Sequence, residues 1–240
     1  MAAVLVDGTR ITSKTVIVAT GARYRKLALE GWERFEGAGI YYAATELEAR
    51  GCVGHPVTVI GGANSAGQAA LFLAASDRLV TLAIRGSDIA AKMSRYLVDR
   101  ILADPRIEVR TETEITGLDG EHGLERIALT QRPSGDEETR PCRGLFCFIG
   151  AEPATAWLTR VAVDRNGFIR TDVQLTADDL DGTWAALGRS PLPFETSVPS
   201  VFAAGDVRHG SMKRVAAAVG EGASAVSSVH TVIGIRSRAG

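Results

Sequence analysis

Residues 57–75 read VTVIGGANSAGQAALFLAA, and this stretch decides the fold class. Val57–Ile60 is an uninterrupted apolar run with the length of a buried strand. Two glycines follow it, and the apolar residues Ala69, Ala70, Phe72 and Leu73 then appear at helical spacing. Strand, glycine turn and helix in that order are typical of the first half of a βαβ unit, which predicts a parallel sheet.

The turn between this strand and this helix predicts a dinucleotide site. In such turns the first glycine makes the bend, the second admits a pyrophosphate, and a third small residue lets helix and strand pack closely. Gly61 and Ala66 fit the first and third roles, whereas Ala63 places a methyl group in the path of the ligand. The alternative is a packing turn that binds nothing. The candidate residues are Gly61, Gly62, Ala63, Asn64, Ser65 and Ala66.

The end of the next expected strand, residues 79–84, predicts which dinucleotide would bind. An acidic residue at this place binds a ribose 2′-hydroxyl, whereas an arginine accommodates a 2′-phosphate. The strand ends at Arg85, no carboxylate occurs before Asp88, and Arg95 follows within three turns. Charge and bidentate geometry therefore favour NADPH. A solvated basic patch at a helix start is the alternative.

Composition excludes several classes of protein. The 240 residues have a formal net charge of −1, so no nucleic acid or anionic membrane is expected as a partner. No apolar run reaches the roughly 18 residues of a membrane span, and the N-terminus lacks a secretory pattern. Cys52, Cys142 and Cys147 form no CxxC pair. We expect buried free thiols and a cytoplasmic protein.

The second half of the chain predicts a change of architecture. Residues 124–129 and 144–149 are expected to form an antiparallel hairpin through the polar loop 133–139, covering a face or edge of the parallel sheet. Further on, Val201–Ala204 is a candidate buried strand that ends at Gly205-Asp206. A glycine there would let a ligand approach closely, and the carboxylate could accept hydrogen bonds from hydroxyl groups.

Catalytic side chains are not evident in the sequence. The four histidines are scattered, no nucleophile has a neighbouring base, and no helix carries metal-ligand spacing. Any difficult chemistry is therefore expected to come from a bound cofactor.

Five short motifs in a fixed order resemble one family. They are Ala19–Gly21 (ATG), Gly61–Ala66 (GGANSA), Ile149–Pro153 (IGAEP), Ala203–Asp206 (AAGD) and Ala218–Gly222 (AVGEG). Their order resembles the low-molecular-weight thioredoxin reductases, flavoenzymes that use FAD and NADPH in two Rossmann-like domains. The resemblance covers nearly the whole chain. Residues 41–49, 93–100 and 195–216 are most similar to the thioredoxin-reductase-like subgroup often fused to a cyclic-nucleotide-binding domain.

The resemblance implies a division of labour along the chain. Residues 1–37 and 198–240 would form a partial FAD-binding domain, and residues 38–197 an NAD(P)H-binding domain with the hairpin layer. Asp206 would bond the ribityl chain, and the backbone N–H of Val215 would face the pyrimidine edge of the flavin. The implied FAD residues are Thr20, Gly21, Gly205, Asp206, Lys213, Arg214 and Val215. The implied NAD(P)H residues are Gly61, Gly62, Ala63, Asn64, Ser65, Ala66, Arg85, Arg95, Ile149 and Gly150. A homodimer is implied as well.

Three departures from the family pattern limit these expectations. The redox CATC segment is replaced by Ala43–Glu46, so no thiolate is available there for disulfide exchange. The HRRxxxR phosphate box keeps only Arg85, which leaves NADPH and NADH both open. The N-terminal strand–GxGxxG–helix is not within these residues, so we expect weak or no FAD binding by this chain. We also expect uncovered sheet beside Val16–Val18 and Val201–Ala203, which favours association.

The sequence thus predicts a mixed α/β flavoprotein with two dinucleotide-binding, Rossmann-like domains, the FAD domain being N-terminally incomplete. The predicted function is hydride transfer from NAD(P)H to FAD and on to an unknown electron acceptor, with no dithiol relay in this chain. The alternative is a non-catalytic nucleotide-binding or interaction module derived from such an enzyme.

Overall fold

The computed structural model describes the backbone of residues 2–76 and 78–238, and the side chains of these residues as far as 234. The chain divides into two compact units, one of residues 1–23 with 151–240 and the other of residues 24–150. The domain boundaries expected from the sequence lie near residues 37 and 197. The chain passes from one compact unit to the other at different places, after residue 23 and after residue 150.

The strands and helices follow in chain order. The strands are β1 (Ala2–Val4), β2 (Arg10–Thr12), β3 (Val16–Val18), β4 (Ala22–Tyr24), β5 (Ile40–Tyr41), β6 (Val57–Ile60), β7 (Val80–Ala83), β8 (Ile107–Arg110), β9 (Thr113–Asp119), β10 (Arg126–Gln131), β11 (Glu137–Pro141), β12 (Gly144–Cys147), β13 (Ala151–Pro153) and β14 (Val201–Ala203). The α-helices are α1 (Trp32–Phe35), α2 (Glu46–Arg50), α3 (Asn64–Ala74), α4 (Arg95–Ala103), α5 (Gly182–Leu187) and α6 (Val215–Arg238). Short 3-10 turns include Ile89–Ala91 and Gly205–Val207.

A parallel sheet of five strands, in the order β5-β12-β6-β7-β8, forms the centre of the unit of residues 24–150. All four residues of β6 are buried, as are all four of β12. Strands buried on both faces read as continuous apolar runs, because each face packs against another layer. Residues 57–75 therefore contain the strand, turn and helix predicted for them.

Two different layers cover this sheet. On one face, Val59, Leu82 and Phe146 pack against the small residues of α3 and the apolar side of α4. On the other face, neighbouring strand residues such as Ile60 and Leu145 pack against the antiparallel sheet β11-β10-β9. The alternation of faces along each strand produces a three-layer arrangement of helices, parallel sheet and antiparallel sheet.

The predicted hairpin between residues 124–129 and 144–149 is wrong. Strand β12 lies in the parallel sheet between β5 and β6. The antiparallel partners of β10 are β9 and β11, and β11 occupies part of the expected polar loop. The apolar run that contains β12 has no polar residue to turn toward water, so burial on both faces of a parallel sheet stabilises it better than a one-sided hairpin.

The unit of residues 1–23 and 151–240 is built around the parallel pair β3 and β14. Phe202 and Ala204 face α6, where they pack with Ala225 and Val232. Val18 and Ala203 pack on the opposite face with Ile169 and Val207. Both faces of this pair are therefore covered within the unit, contrary to the expectation of uncovered sheet. In the described part of the chain, β3 has β14 as its one strand partner.

Candidate functional site

The glycine turn after β6 is fixed by close contact with the neighbouring strand end. Gly61 adopts a φ of +141°, and its N–H donates to the carbonyl of Ala83 at 3.2 Å. A Cβ at this position would lie 2.5 Å from the carbonyl oxygen of Phe148 and 3.0 Å from the Cβ of Ala66. Only glycine tolerates this conformation and this contact. The turn therefore lies directly against the backbone of Phe148.

Helix α3 begins immediately after this turn with its first N–H groups free. Ala63 precedes the helix in an extended conformation and supplies no side-chain cap. Its carbonyl accepts from the N–H groups of Ala66 and Gly67. The N–H groups of Asn64 and Ser65 have no acceptor among the described residues, and both residues are exposed. Such a helix start can accept an anion, because free N–H groups and the positive end of the helix dipole point outward.

Asn64 also holds a neighbouring segment in place. Its side-chain oxygen accepts a 2.7 Å hydrogen bond from the backbone N–H of Ser94, directly before α4. Gly67 lets Met93 of the same segment lie close to α3, since a Cβ at position 67 would lie 2.7 Å from the Met93 sulfur. The segment that follows β7 is thereby fixed beside the glycine turn.

Arg85 lies at the carboxyl end of β7 with its guanidinium exposed. The backbone around it is held by two hydrogen bonds, from Thr113 N–H to the Ile84 carbonyl at 3.0 Å and from Glu112 N–H to the Gly86 carbonyl at 2.9 Å. Among the described residues, the Arg85 guanidinium forms no hydrogen bond or ion pair. A fixed backbone with a free, exposed guanidinium is suited to binding a phosphate.

Arg95 is engaged differently. Its Nε atom lies 2.9 Å from the Oδ1 atom of Asp99, one turn along α4, and both side chains are largely exposed. The nearby Asp88 carboxylate accepts from the N–H of Ala90 at 2.8 Å and caps the 3-10 turn. Arg85 therefore keeps its full donor capacity, whereas the guanidinium of Arg95 is shared with Asp99.

The carboxyl ends of three adjacent strands bring these candidates to one sheet edge. The strand ends are those of β12, β6 and β7, which neighbour one another in that order. Phe148 N–H donates to the Ile60 carbonyl at 2.8 Å, and Gly150 has a φ of +102°. The chain runs from β6 outward to β8 and returns to the other side of β6, so the order changes direction here. Ligands of open α/β sheets bind in such crevices.

In the other unit, the ends of β3 and β14 bring together Thr20, Gly21, Gly205 and Asp206. The N–H of Ala204 donates to the Val18 carbonyl at 3.0 Å, which sets the two ends side by side. Gly205 has a φ of +76°, and a Cβ there would lie 3.4 Å from the Cβ of Ala218 on α6. The Asp206 carboxylate is half-exposed and forms no hydrogen bond or ion pair in the part of the chain described.

Glu221 is a site residue that sequence reasoning missed. Its Oε2 atom accepts from the N–H of Gly205 at 2.8 Å, and its Oε1 atom lies 2.8 Å from Nη2 of Arg208. Burial raises the pKa of Glu221, but the hydrogen bonds from Arg208 and Gly205 outweigh burial and leave it below its ordinary value. Glu221 therefore fixes the strand-end turn against α6. The acidic residue between Gly220 and Gly222 was the available signal.

The start of α6 is only partly as expected. The helix begins at Val215, and the Arg214 carbonyl accepts from the N–H of Ala218. The Lys213 ammonium lies 4.4 Å from the centre of the Phe168 ring, and the Arg214 guanidinium donates to the Lys213 carbonyl. Both cations thus contact their own unit, while the N–H of Val215 lies at the free start of the helix.

The segment Ala43–Glu46 contains no sulfur, and Thr45 within it caps α2. All three cysteines are buried and free, as predicted. Burial raises the pKa of the Cys142 and Cys147 thiols to about 11 in each case, and it raises the pKa of Cys52 as well. Thiols held in the protonated form are poor nucleophiles, so these cysteines offer no substitute for a redox pair.

We expect the three thiols to be unreactive toward thiol reagents in the folded protein. With a pKa of about 11, only about a thousandth of the Cys142 thiol is ionised at about pH 8. Ellman's reagent should therefore react slowly with the native chain and rapidly with all three thiols in denaturant. Fast reaction of two thiols in the native state would contradict the buried, protonated assignment.

The chain is similar to known proteins over most of its length. The sequence profile of the pyridine nucleotide-disulphide oxidoreductase family matches residues 2–222. The thioredoxin reductase of Treponema pallidum is 31% identical over 227 residues, which cover 92% of this chain and 65% of that protein. A component of the alkyl hydroperoxide reductase of Staphylococcus epidermidis is 31% identical over 215 residues, covering 90% of this chain and 38% of that protein.

The solved thioredoxin reductase of Streptococcus pyogenes MGAS5005 superposes with a TM-score of 0.72 at 26% identity, covering 95% of this chain and 68% of that one. This likeness confirms the predicted mixed α/β, Rossmann-like fold. The chain spans 65% and 38% of the two curated relatives. None of the described helices combines the length and the apolar character that a membrane span needs.

Proposed function

Because the chain belongs to the pyridine nucleotide-disulphide oxidoreductase family, we propose that it takes part in hydride transfer from NAD(P)H to FAD and from the flavin to an acceptor. The observation that carries this proposal is the sheet edge at which the Gly61 turn, the free N–H groups of α3 and the unpaired Arg85 meet. An electron path through a dithiol in this chain is not part of the proposal, because the segment Ala43–Glu46 has no sulfur.

The unit of residues 24–150 fits a dinucleotide. The backbone N–H groups of Asn64 and Ser65 would bind the pyrophosphate. Gly61 has no side chain, so the turn leaves room for the pyrophosphate to approach. Arg85 would bind a 2′-phosphate, which favours NADPH over NADH. Ile149 and Gly150, at the next strand end, would line the ligand on the side of β12. These groups bind and orient; they perform no proton transfer.

The strand ends of the other unit fit the flavin. Asp206 offers a carboxylate with free acceptor capacity for the ribityl hydroxyls, and Thr20, Gly21 and Gly205 leave room beside it. The N–H of Val215 would face the pyrimidine edge, with Lys213 and Arg214 flanking it. When bound, FAD accepts the hydride and passes electrons onward, which supplies the chemistry that these side chains lack.

The association and location of the protein are also proposed. The strand edge of β3 without a second partner in the described residues favours a homodimer, which sedimentation at micromolar concentration would test.

Three unpaired, buried thiols are typical of a reducing compartment, so we propose the cytoplasm. A protein disulfide such as that of thioredoxin is not expected to be reduced by a thiol of this chain.

Ala63→Gly is expected to tighten the binding of NADPH and NADH equally. The substitution removes a methyl group from the exposed position before α3, where the pyrophosphate would pass. Isothermal titration of the parent and the variant with both dinucleotides measures the effect. Ala75→Gly, at the other end of the same helix, is the control for loss of a methyl group.

Absence of dinucleotide binding in these titrations would favour the alternative function. If neither dinucleotide binds the parent chain and Ala63→Gly gains no binding, the Gly61 turn is a packing turn. The protein would then be a non-catalytic module with the fold of an oxidoreductase.

A further inference from the structure

The three tryptophans differ sharply in their exposure. Trp32 and Trp184 are 1% and 5% exposed, whereas Trp157 is 60% exposed. A large aromatic side chain in water is a frequent binding element, because its apolar face gains by being covered. Trp157 follows β13 and belongs to the unit of residues 1–23 and 151–240.

Trp157 is exposed but firmly held. Its indole N–H donates to the Ala154 carbonyl at 2.9 Å. The N–H of Ala154 donates to the Gly21 carbonyl at 3.0 Å. The residue that holds the indole is therefore itself held by the segment that follows β3. The next residue, Leu158, packs in the buried cluster of the unit and donates to the Thr155 carbonyl. The ring is therefore pre-organised, which lowers the entropic cost of binding a ligand.

The anchor also locates the ring beside the candidate flavin residues. The Thr20 hydroxyl donates to the same Ala154 carbonyl at 3.0 Å. The indole nitrogen and the Thr20 oxygen thus lie within about 6 Å of each other. Thr20 follows β3, whose end neighbours the end of β14 with Asp206. One edge of the unit consequently presents an aromatic face, a hydroxyl and a free carboxylate.

We propose that Trp157 stacks on the isoalloxazine ring of the flavin. The proposal rests on the function proposed above and assigns a binding residue to it. The Asp206 carboxylate repels phosphate but accepts hydrogen bonds from hydroxyls, so this edge suits a hydroxylated chain attached to a planar ring. An electron-rich indole face is complementary to the electron-poor ring of an oxidised flavin.

Riboflavin is the sharpest probe, because it has the ring and the ribityl chain without a pyrophosphate. Titration of the full chain with riboflavin should quench Trp157 emission saturably. The emission of Trp157→Phe, subtracted from that of the parent, isolates the signal. FAD should quench no more strongly than riboflavin, because these residues contain no GxGxxG turn for its pyrophosphate. AMP, which carries the adenine nucleotide without the flavin ring, should not quench.

Riboflavin affinity, followed by the flavin's own fluorescence, provides the second measurement. Trp157→Ala should weaken binding about 5- to 10-fold, the usual effect of losing one stacked ring. Trp157→Phe keeps an aromatic face and should weaken it by less than about 3-fold. Val173→Ala, which shortens an exposed apolar side chain of the same unit, should leave it unchanged.

Three results would overturn the proposal: no saturable binding of riboflavin, an unchanged affinity in Trp157→Ala, or equal quenching by AMP. NADPH titration of the same variants separates this outcome from failure of the proposed function. Loss of the flavin signal with NADPH binding intact would reject the role of Trp157 alone. Absence of NADPH binding by the parent chain would reject the proposed function.

Discussion

Arg85→Ala is expected to weaken NADPH binding about 10- to 150-fold and to leave NADH binding nearly unchanged. A charge-assisted hydrogen bond to a phosphate contributes roughly 1.5–3 kcal/mol, and about 1.4 kcal/mol corresponds to one decade in affinity. Arg85 has no partner of its own among the described residues, so its full donor capacity is available to the 2′-phosphate. Isothermal titration of both dinucleotides into the parent and the variant measures the difference.

Arg100→Ala is the matched control for this prediction. Arg100 is exposed on α4, where its guanidinium lies over the ring of Tyr96 at 5.3 Å, and it should not affect either dinucleotide. Arg95→Ala should have a smaller effect than Arg85→Ala, because Arg95 is already paired with Asp99. Equal losses of NADH and NADPH in Arg85→Ala would show that Arg85 does not recognise the phosphate.

Gly61→Ala is expected to lower the free energy of unfolding by about 2–4 kcal/mol and to abolish dinucleotide binding. The φ of +141° is strained for any residue with a Cβ, and the new methyl group would lie 2.5 Å from the Phe148 carbonyl oxygen. Relief requires movement of the backbone on one side of the turn. Urea denaturation measures the loss as a lower midpoint with an unchanged slope.

Gly62→Ala is the control for Gly61→Ala in the same turn. Its φ is not positive, and the nearest atom to the added Cβ would be the Cγ2 of Ile84 at 3.1 Å, the end of a side chain. We expect a cost below about 1 kcal/mol. If both variants lost the same stability, the contact with Phe148 would not be the reason for glycine at position 61.

The sequence was most informative where local chemistry and the fold require the same residues. The Gly61 turn is an example, because a strand, a glycine and a helix start are neighbours in the chain and their geometry follows from that order. Arg85 was predictable for the same reason, as the residue at the end of the next strand. The buried, unpaired thiols followed from the absence of a CxxC pair.

Long-range placement was less predictable. The apolar run that forms β12 does not reveal whether it pairs with the preceding strand or joins a parallel sheet, because both arrangements bury it. Glu221 contacts Gly205 across 16 residues, and Trp157 reaches the carbonyl that also binds Thr20. Such contacts depend on which strand ends become neighbours, which the spacing along the chain does not specify.

We propose the carboxyl edge of the parallel sheet as the place where the dinucleotide binds. The opposite edge offers a competing place, a cavity of about 360 Å³ lined by residues that include Thr81, Ile107 and Arg140. Arg140 is already paired with Glu108 there, so its charge is compensated. The two edges use different stretches of the chain and can be distinguished by amide exchange.

Hydrogen–deuterium exchange with and without NADPH is therefore the most direct test. We expect slower exchange of the Asn64 and Ser65 amides and of the segment around Arg85, with no change in residues 105–108. Protection confined to residues 105–108, or NADPH binding that leaves the amides after Gly61 unprotected, would contradict it.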